Sequence, residues 1–408
     1  MHPPTRPAAR PALQLPTHAR ARPSQCHRPA TPSAAQPDPA DWERSPEWYG
    51  TQGGGWGRGA GAVVYAAASP VGNARVTVTV HPASVEALPG APAGAPPPEW
   101  RVMRFGEATR QSVALVDALP GDPSARAARP GALAFEYVKT VVACCLASFP
   151  AGLVDAAVGG AGVGGPRPPS ILCIGVGGGA VPLALASLFP GAAVAGVDLC
   201  PAVLGGAGAM GLTAAAGVAC PNLALSLGDG VAALEGADPG SVDLLVVDAF
   251  DGDDAVPAAL ASPDGAGLVA AAAALHPAHG VLVINLHAGP KPGPVEWLGR
   301  LTASGPRPPT FVVREDGTGP GAVALATASA WADAVLGGSG GGGCAAMVGV
   351  RRQANAVAVV ARGGGGRDGG AAGAASAARA LASRAALPLP YDVGDRAGYG
   401  WWEMPRRG

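Results

Sequence analysis

The stretch Ile171 to Asp198, ILCIGVGGGAVPLALASLFPGAAVAGVD, constrains the fold of this chain more than any other. An unbroken apolar run ends at Ile174, and glycines follow at Gly175, Gly177, Gly178 and Gly179. A helix-spaced Ala/Leu segment then starts near Val181, and a second apolar run closes on Asp198. Buried parallel strands read as continuous apolar segments, and glycines at a strand end let backbone turn sharply and approach a ligand. Strand, glycine loop, helix and terminal acid in that order predict a βαβ unit whose helix N-terminus faces the loop. The acid stands about 20 residues past the loop, where a carboxylate can accept both hydroxyls of a ribose.

The same rhythm continues downstream. Short apolar segments "LALSLGD", "DLLVVDAF", "GVLVINL" and "TFVVRE" alternate with Ala/Leu-rich or turn-rich connections. This alternation predicts an α/β domain over 130–362, an open sheet with helices on both faces. "ANAVAVVAR" (354–362) reads as its last, edge strand, after a flexible "GGSGGGG" at 337–343. Residues 363–408 read as a Gly-rich linker and C-terminal tail with one weak helix. Upstream, "ARVTVTV", "EWRVMRF" and "QSVALVDAL" show strand-like runs, the first alternating clearly, with Gly106 joining the last two. Residues 46–125 therefore form a small antiparallel β domain, followed by one helix, "ALAFEYVKTVVACCLASF".

Composition narrows the partners. The 408 residues carry a net charge of -1 and only the lysines Lys139 and Lys291, which gives no electrostatic basis for nucleic acid binding. The 63 glycines and 43 prolines reflect a general bias, so isolated glycines carry little meaning. The seven cysteines include no C-x-x-C pair and no Cys/His cluster at metal spacing, which argues for reduced thiols and no metal. His276, His279 and His287 read as turn or surface residues. Residues 1–37 lack acids and carry Arg6, Arg10, Arg20, Arg22 and Arg28, so 1–45 read as a disordered leader, either an organellar transit peptide for chloroplast or mitochondrion or the basic tail of a cytoplasmic protein. The uncharged stretch Leu199–Gly228 is broken by Pro201, Pro221 and Asn222, so no membrane span is expected.

Two further acids decide between ligands. Asp229 follows the third strand and Asp248 the fourth, while ligands of open α/β sheets bind outside the carboxyl ends of the strands. Asp198, Asp229 and Asp248 should converge on one crevice. A nicotinamide dinucleotide uses only the first acid, and its pyrophosphate would be repelled by the others. An S-adenosyl donor carries a sulfonium cation and no phosphate, so it suits an acid-lined hollow.

On "RFGEATRQS", "ILCIGVGGGAVPLAL", "VDLCPAVL", "LGDG", "VDLLVVDAFDGDDAVPAAL" and "GVLVINL", the chain resembles the spermidine/spermine synthase family within the class I S-adenosylmethionine-dependent methyltransferase superfamily. The resemblance implies a Rossmann-like sheet with a small N-terminal antiparallel β domain. It places Asp198 on the ribose, Asp229 with Gly230 on the adenine side, Asp248 beside the reacting amine, and Gln111 on the β-domain edge facing the donor. Relatives of this kind are often homodimers. The departures are specific. The family's loop acid, which grips the free amine of decarboxylated S-adenosylmethionine, is replaced by Gly178, and glycine there would admit the carboxylate of the intact donor. The Tyr-His-Glu acceptor motif is replaced by Phe135-Glu136-Tyr137, and the acidic acceptor loop reads "DAFDGDD".

An amine near its reference pKa of about 10 is protonated at neutral pH and cannot attack. A carboxylate in reach can take the proton and steer the lone pair in line with the sulfonium carbon. Asp248 is the candidate for that role, and Asp251 for anchoring the cationic end of the acceptor. Asp253 and Asp254 read as a solvated loop, Tyr137 as a core aromatic or a pocket wall, and Asn285 as a hydrogen-bonding group at a strand end. The leading expectation is a methyltransferase using S-adenosyl-L-methionine on a small-molecule or protein amine. The alternatives are an aminopropyltransferase of polyamine biosynthesis, or a non-catalytic nucleotide-binding scaffold.

Overall fold

The computed structural model describes residues 61–71, 75–83, 94, 96–106, 109–119, 122–159, 167–250, 256–262, 265–287, 320–337, 343–350, 353, 355–363, 370–385, 389, 391–399 and 401–404. The leader, Asp251, Asp253, Asp254 and "TFVVRE" lie outside the described residues.

The chain begins with an antiparallel meander of β1 (Ala62–Ala67), β2 (Val76–Pro82), β3 (Glu99–Phe105), β4 (Thr109–Leu119) and β5 (Asp122–Ala128), in that spatial order. Alternation in β2 turns Val76 and Val78 wholly inward, where they join Met103, Val116 and the helices of the second layer in one core. Gly106 takes positive φ in the turn after β3, a conformation glycine adopts without strain. The last strand, "DPSARAA", extends three residues past the boundary read from the sequence, with no β-branched residue to announce it. Its Ala128 N–H donates to Gly211 O at 3.0 Å, tying this sheet to the next domain.

Helix α1 (Glu136–Ser148) and α2 (Val154–Gly159) lead into the larger domain. The βαβ unit follows as β6 (Ser170–Ile174), α3 (Ala180–Leu188) and β7 (Ala193–Asp198). Next come α4 (Pro201–Ala209), α5 (Leu212–Val218), β8 (Leu223–Leu227), α6 (Gly230–Glu235) and β9 (Leu244–Val247). The chain continues with α7 (Ala258–Ala261), α8 (Ala266–Ala274), β10 (Val281–His287) and α9 (Pro320–Leu336). It ends with β11 (Gly343–Gly349), β12 (Asn355–Arg362), α10 (Gly370–Arg384), α11 (Val393–Gly398) and β13 (Trp402–Glu403).

The second sheet has eight strands in the order β13-β11-β12-β10-β9-β6-β7-β8. From β10 to β8 all pairs are parallel, and β12, β11 and β13 extend the sheet antiparallel. Alternate residues feed two cores. Ile171, Cys173, Leu244 and Val246 face α1, α3 and α4, whereas Leu172, Ile174, Leu245 and Val247 face α8 and α9. Both faces are covered, which is why β6 and β9 are apolar throughout. The domain is a Rossmann-like α/β sheet with a small antiparallel β domain before it, as the strand–helix alternation predicts.

Three expectations are corrected. "ANAVAVVAR" is an interior strand, paired with β10 on one side and β11 on the other. The glycine run at 337–343 ends in strand: Gly343 opens β11, whose Ala345–Val348 core is buried. Residues 363–408 are more than linker and tail, because α10 and α11 pack on α1 and β13 pairs with β11. Ala and Gly dominate these segments and disguise them as low-complexity sequence, yet Ala374, Ala378 and Leu381 at helical spacing are buried.

Among the described residues no single helix is long and apolar enough to cross a membrane. Cys144, Cys145, Cys173, Cys200 and Cys220 are buried free thiols, and Cys344 is partly buried. His279 does more than line a turn: its Nε2 lies 2.8 Å from the buried Asp243 carboxylate, and its ring stacks on His276 at 3.5 Å.

Candidate functional site

Asp198, Asp229 and Asp248 stand at the carboxyl edge of three strands, and backbone hydrogen bonds lace those ends together. Asp248 N–H donates to Ile174 O at 2.8 Å, Gly175 N–H to Val197 O at 2.9 Å, and Gly228 N–H to Asp198 O at 2.9 Å. Parallel register therefore brings the acid-bearing ends to one side of the glycine loop. Each carboxylate nonetheless has its own protein partner.

Asp198 turns inward to the loop. Its Oδ2 accepts from Val176 N–H at 2.9 Å and Gly177 N–H at 3.3 Å, and its Oδ1 accepts from Cys200 N–H at 2.9 Å. A carboxylate offers about four acceptor sites. With three taken, capacity for a single further donor remains, on Oδ1, rather than for both hydroxyls of a ribose. Asp229 caps α6 by accepting from Ala232 N–H at 2.9 Å, and is otherwise exposed. Gly230 opens that helix against Ile174, whose Cγ2 lies 2.5 Å from where a Cβ would be.

The loop is packed rather than open. Gly175 and Gly179 have φ of 86° and 83° and sit where side chains would strike the Asp248 carbonyl and Leu212. A Cβ on Gly178 would collide with Ser112 Cβ, and the Gly178 N–H donates to Ser112 Oγ at 2.8 Å. The space beside Gly178 is thus filled by the N-terminal sheet, which revises the expectation that glycine there leaves room for a donor carboxylate. Gly179 N–H donates to Val176 O at 2.8 Å. Every loop amide from Gly175 to Gly179 therefore already has an acceptor within the protein.

Asp248 is partly buried. Its Oδ1 accepts from Asn285 Nδ2 at 2.9 Å, and Asn285 Oδ1 accepts from Asn355 Nδ2 at 3.2 Å. Burial pushes the Asp248 carboxyl up to about 6, partly opposed by the Asn285 hydrogen bond. Tyr137, in the first turn of α1, is near enough to feel the Asp248 charge. Desolvation, and secondarily the Asp248 charge, raise its hydroxyl well above the usual phenol range. The same two causes push the Cys173 thiol up to about 12. Tyr137 O–H donates to Gln111 O at 3.2 Å, so Gln111 reaches this neighbourhood through its backbone.

Sequence reasoning missed several participants. Ser112 follows Gln111 on β4, and nothing in a strand reading marks it as the loop's partner. Asn355 is a lone amide at the mouth of an apolar strand, a signal readable only once β12 is known to lie beside β10. Leu199 and Leu227 are 53% and 57% exposed beside Asp198 and Asp229, an apolar pair at an otherwise acidic edge. Glu136, at the position of the acceptor motif, points elsewhere: it is buried with Lys139 Nζ at 3.3 Å and Arg396 Nε at 3.0 Å. Among the described residues no group of His, Cys, Asp and Glu is placed to hold a metal.

No family model matches the chain, and no curated protein matches its sequence. Solved structures do overlap with it. A probable spermidine synthase from Corynebacterium glutamicum is 14% identical, with a TM-score of 0.47, over 80% of this chain and 88% of that one. Spermidine synthase from Thermotoga maritima is 12% identical, with a TM-score of 0.41, over 74% of this chain and 73% of that one. Human methyltransferase-like protein 13, solved in complex with SAH, is 18% identical, with a TM-score of 0.40, over 61% of this chain and 91% of that one.

Proposed function

We propose that this chain is an S-adenosyl-L-methionine-dependent methyltransferase of spermidine-synthase-like build, acting on an amine. The observation that carries the reading is the loop's hydrogen bonding. With the amides of Val176 and Gly177 held by Asp198 and that of Gly178 by Ser112, the loop has no N–H left to cradle a phosphate. An acidic edge with exposed Leu199 and Leu227 suits an uncharged nucleoside joined to a cationic sulfur. Leu199 and Leu227 would flank the base, Asp198 Oδ1 would take one ribose hydroxyl, and the free oxygen of Asp229 would accept from the adenine side. When bound, the donor supplies an electrophilic carbon on a sulfonium.

Asp248 then handles the proton. Asn285 occupies one of its oxygens and leaves the other for an incoming ammonium. A base raised to about 6 is ionised at neutral pH and closer in proton affinity to an amine than an exposed aspartate is. Tyr137 and Phe135, whose ring centroids are 5.5 Å apart, would wall the approach and limit water. Asp251 is the proposed anchor for the far cationic end of the acceptor.

Methyl rather than aminopropyl transfer is favoured by two acids. The one that would grip a free donor amine in the loop is absent and its place is filled by Ser112. The one in the acceptor motif, Glu136, is tied to Lys139 and Arg396. The test is transfer from methyl-labelled S-adenosylmethionine to small amines and lysine-bearing proteins. Labelled product from the wild type and none from Asp248→Asn, with donor binding within about threefold, is expected. Aminopropylated putrescine or spermidine formed from decarboxylated donor would reverse the choice.

A further inference from the structure

We propose that Asn355, on the antiparallel strand β12, is a positioning residue for Asp248, acting through Asn285. The inference rests on the reading of Asp248 as the proton acceptor but depends on no particular donor or product. Its basis is a chain of side-chain amides crossing two strands: Asn355 Nδ2 donates to Asn285 Oδ1 at 3.2 Å, and Asn285 Nδ2 donates to Asp248 Oδ1 at 2.9 Å. β12 pairs antiparallel with β10 and β10 parallel with β9, so Asn355, Asn285 and Asp248 come from three adjacent strands at one edge.

The chemistry lies in the direction of the amide. A side-chain amide can present either its oxygen or its NH2 to a neighbour, and the two faces differ little in shape. Turned one way, Asn285 donates to the Asp248 carboxylate; turned the other, it sets an oxygen against an anion. A donor on the far side of Asn285 removes the second option, because Asn285 Oδ1 must stay where Asn355 can reach it. Asn285 is 1% exposed, so water does not substitute freely for that donor. Asn355 thereby keeps Asp248 Oδ1 occupied and the other oxygen aimed at the acceptor.

Among the described residues, the other groups facing Asp248 are Tyr137 from α1 and Cys173 from β6, and both neutralise by burial rather than ionise. The ionised state of Asp248 therefore draws on the Asn285 donor. Among the described residues no hydrogen bond joins Asn355 to the glycine loop or to Asp198, so its loss should leave the donor's side intact.

The test follows the Asp248 carboxyl carbon by NMR in protein labelled with 13C-aspartate, assigned by its disappearance in Asp248→Asn. The titration needs no donor or acceptor and so stands apart from the success of the methyltransferase reading. In Asn355→Ala the apparent pKa should move upward from the wild-type value, toward that of Asn285→Ala. Binding of S-adenosylhomocysteine, measured in parallel by calorimetry, should change by less than about twofold. If the alanine variant does not fold, Asn355→Val, which restores a strand-favouring side chain without a donor, carries the same test. An Asp248 titration that is unmoved in a folded variant overturns the proposal. So does a shift that appears equally in other aspartates, because that reports general loosening of the strand end.

Discussion

Asp198 shows how much one side chain can decide at a strand end. It closes the glycine loop by accepting from Val176 and Gly177, and fixes the start of α4 through Cys200. Asp198→Ala leaves those partly buried amides without an acceptor, and should cost about 1–3 kcal/mol in urea unfolding as well as at least tenfold in donor affinity. Gly178 makes the complementary case. Gly178→Asp drives a side chain into Ser112 and should destabilise by about 2–4 kcal/mol without creating tight binding of decarboxylated donor. Pairing it with Ser112→Gly should restore most of the stability, which a double-mutant cycle would read directly. The positions of Asp198, Asp229 and Asp248 could be read from the sequence, because strand-end acids follow from apolar run lengths. The bonds that hold the site together could not: Ser112 lies 66 residues from Gly178, Asn285 lies 37 from Asp248, and Asn355 lies 70 from Asn285.

At the scale of elements, the parallel strands β6 to β10 announced themselves by continuous apolar runs, and the N-terminal strands by alternation. The C-terminal elements did not, since Ala-rich helices and a two-residue strand leave little periodic contrast. Yet α11 contributes Arg396 to the buried Glu136–Lys139 cluster at the start of α1, one residue before Tyr137. Removing Arg396 leaves Glu136 with Lys139 and strips the buried cluster of one of its two cations, so Arg396→Met should cost about 1–3 kcal/mol in denaturant unfolding. The loss should exceed that of Arg379→Met by severalfold, because the Arg379–Asp392 pair at 2.9 Å is about half exposed. Equal losses would mean that α11 does not anchor α1. The tail read as linker from its glycines is, on this account, part of the frame that holds Tyr137 beside Asp248.

For the whole molecule, the two sheets meet where Ser112 bonds the glycine loop, Ala128 bonds Gly211 and Arg101 bonds the Ala209 carbonyl. The site is therefore a product of both domains, and its ionisation should register in global stability. Asp248 has a folded pKa of about 6 against 3.8 for the free group, so the folded state holds its proton more tightly. Its stabilising contribution is complete below about pH 4 and is lost as pH rises through about 6. Relative to Asp248→Asn, wild type should lose on the order of 1–2 kcal/mol between those limits, discounted for partial solvent access. Melting curves of both proteins from pH 4 to 7.5 would show it, and parallel curves would refute it. Calorimetric titration of the protein with S-adenosylhomocysteine and, separately, with NAD+ addresses the claim on which all else depends, that this strand-end hollow takes a nucleoside without phosphates. S-adenosylhomocysteine should bind at ~micromolar affinity, and the dinucleotide should give no binding heat. Tight NAD+ binding with none for S-adenosylhomocysteine would contradict it.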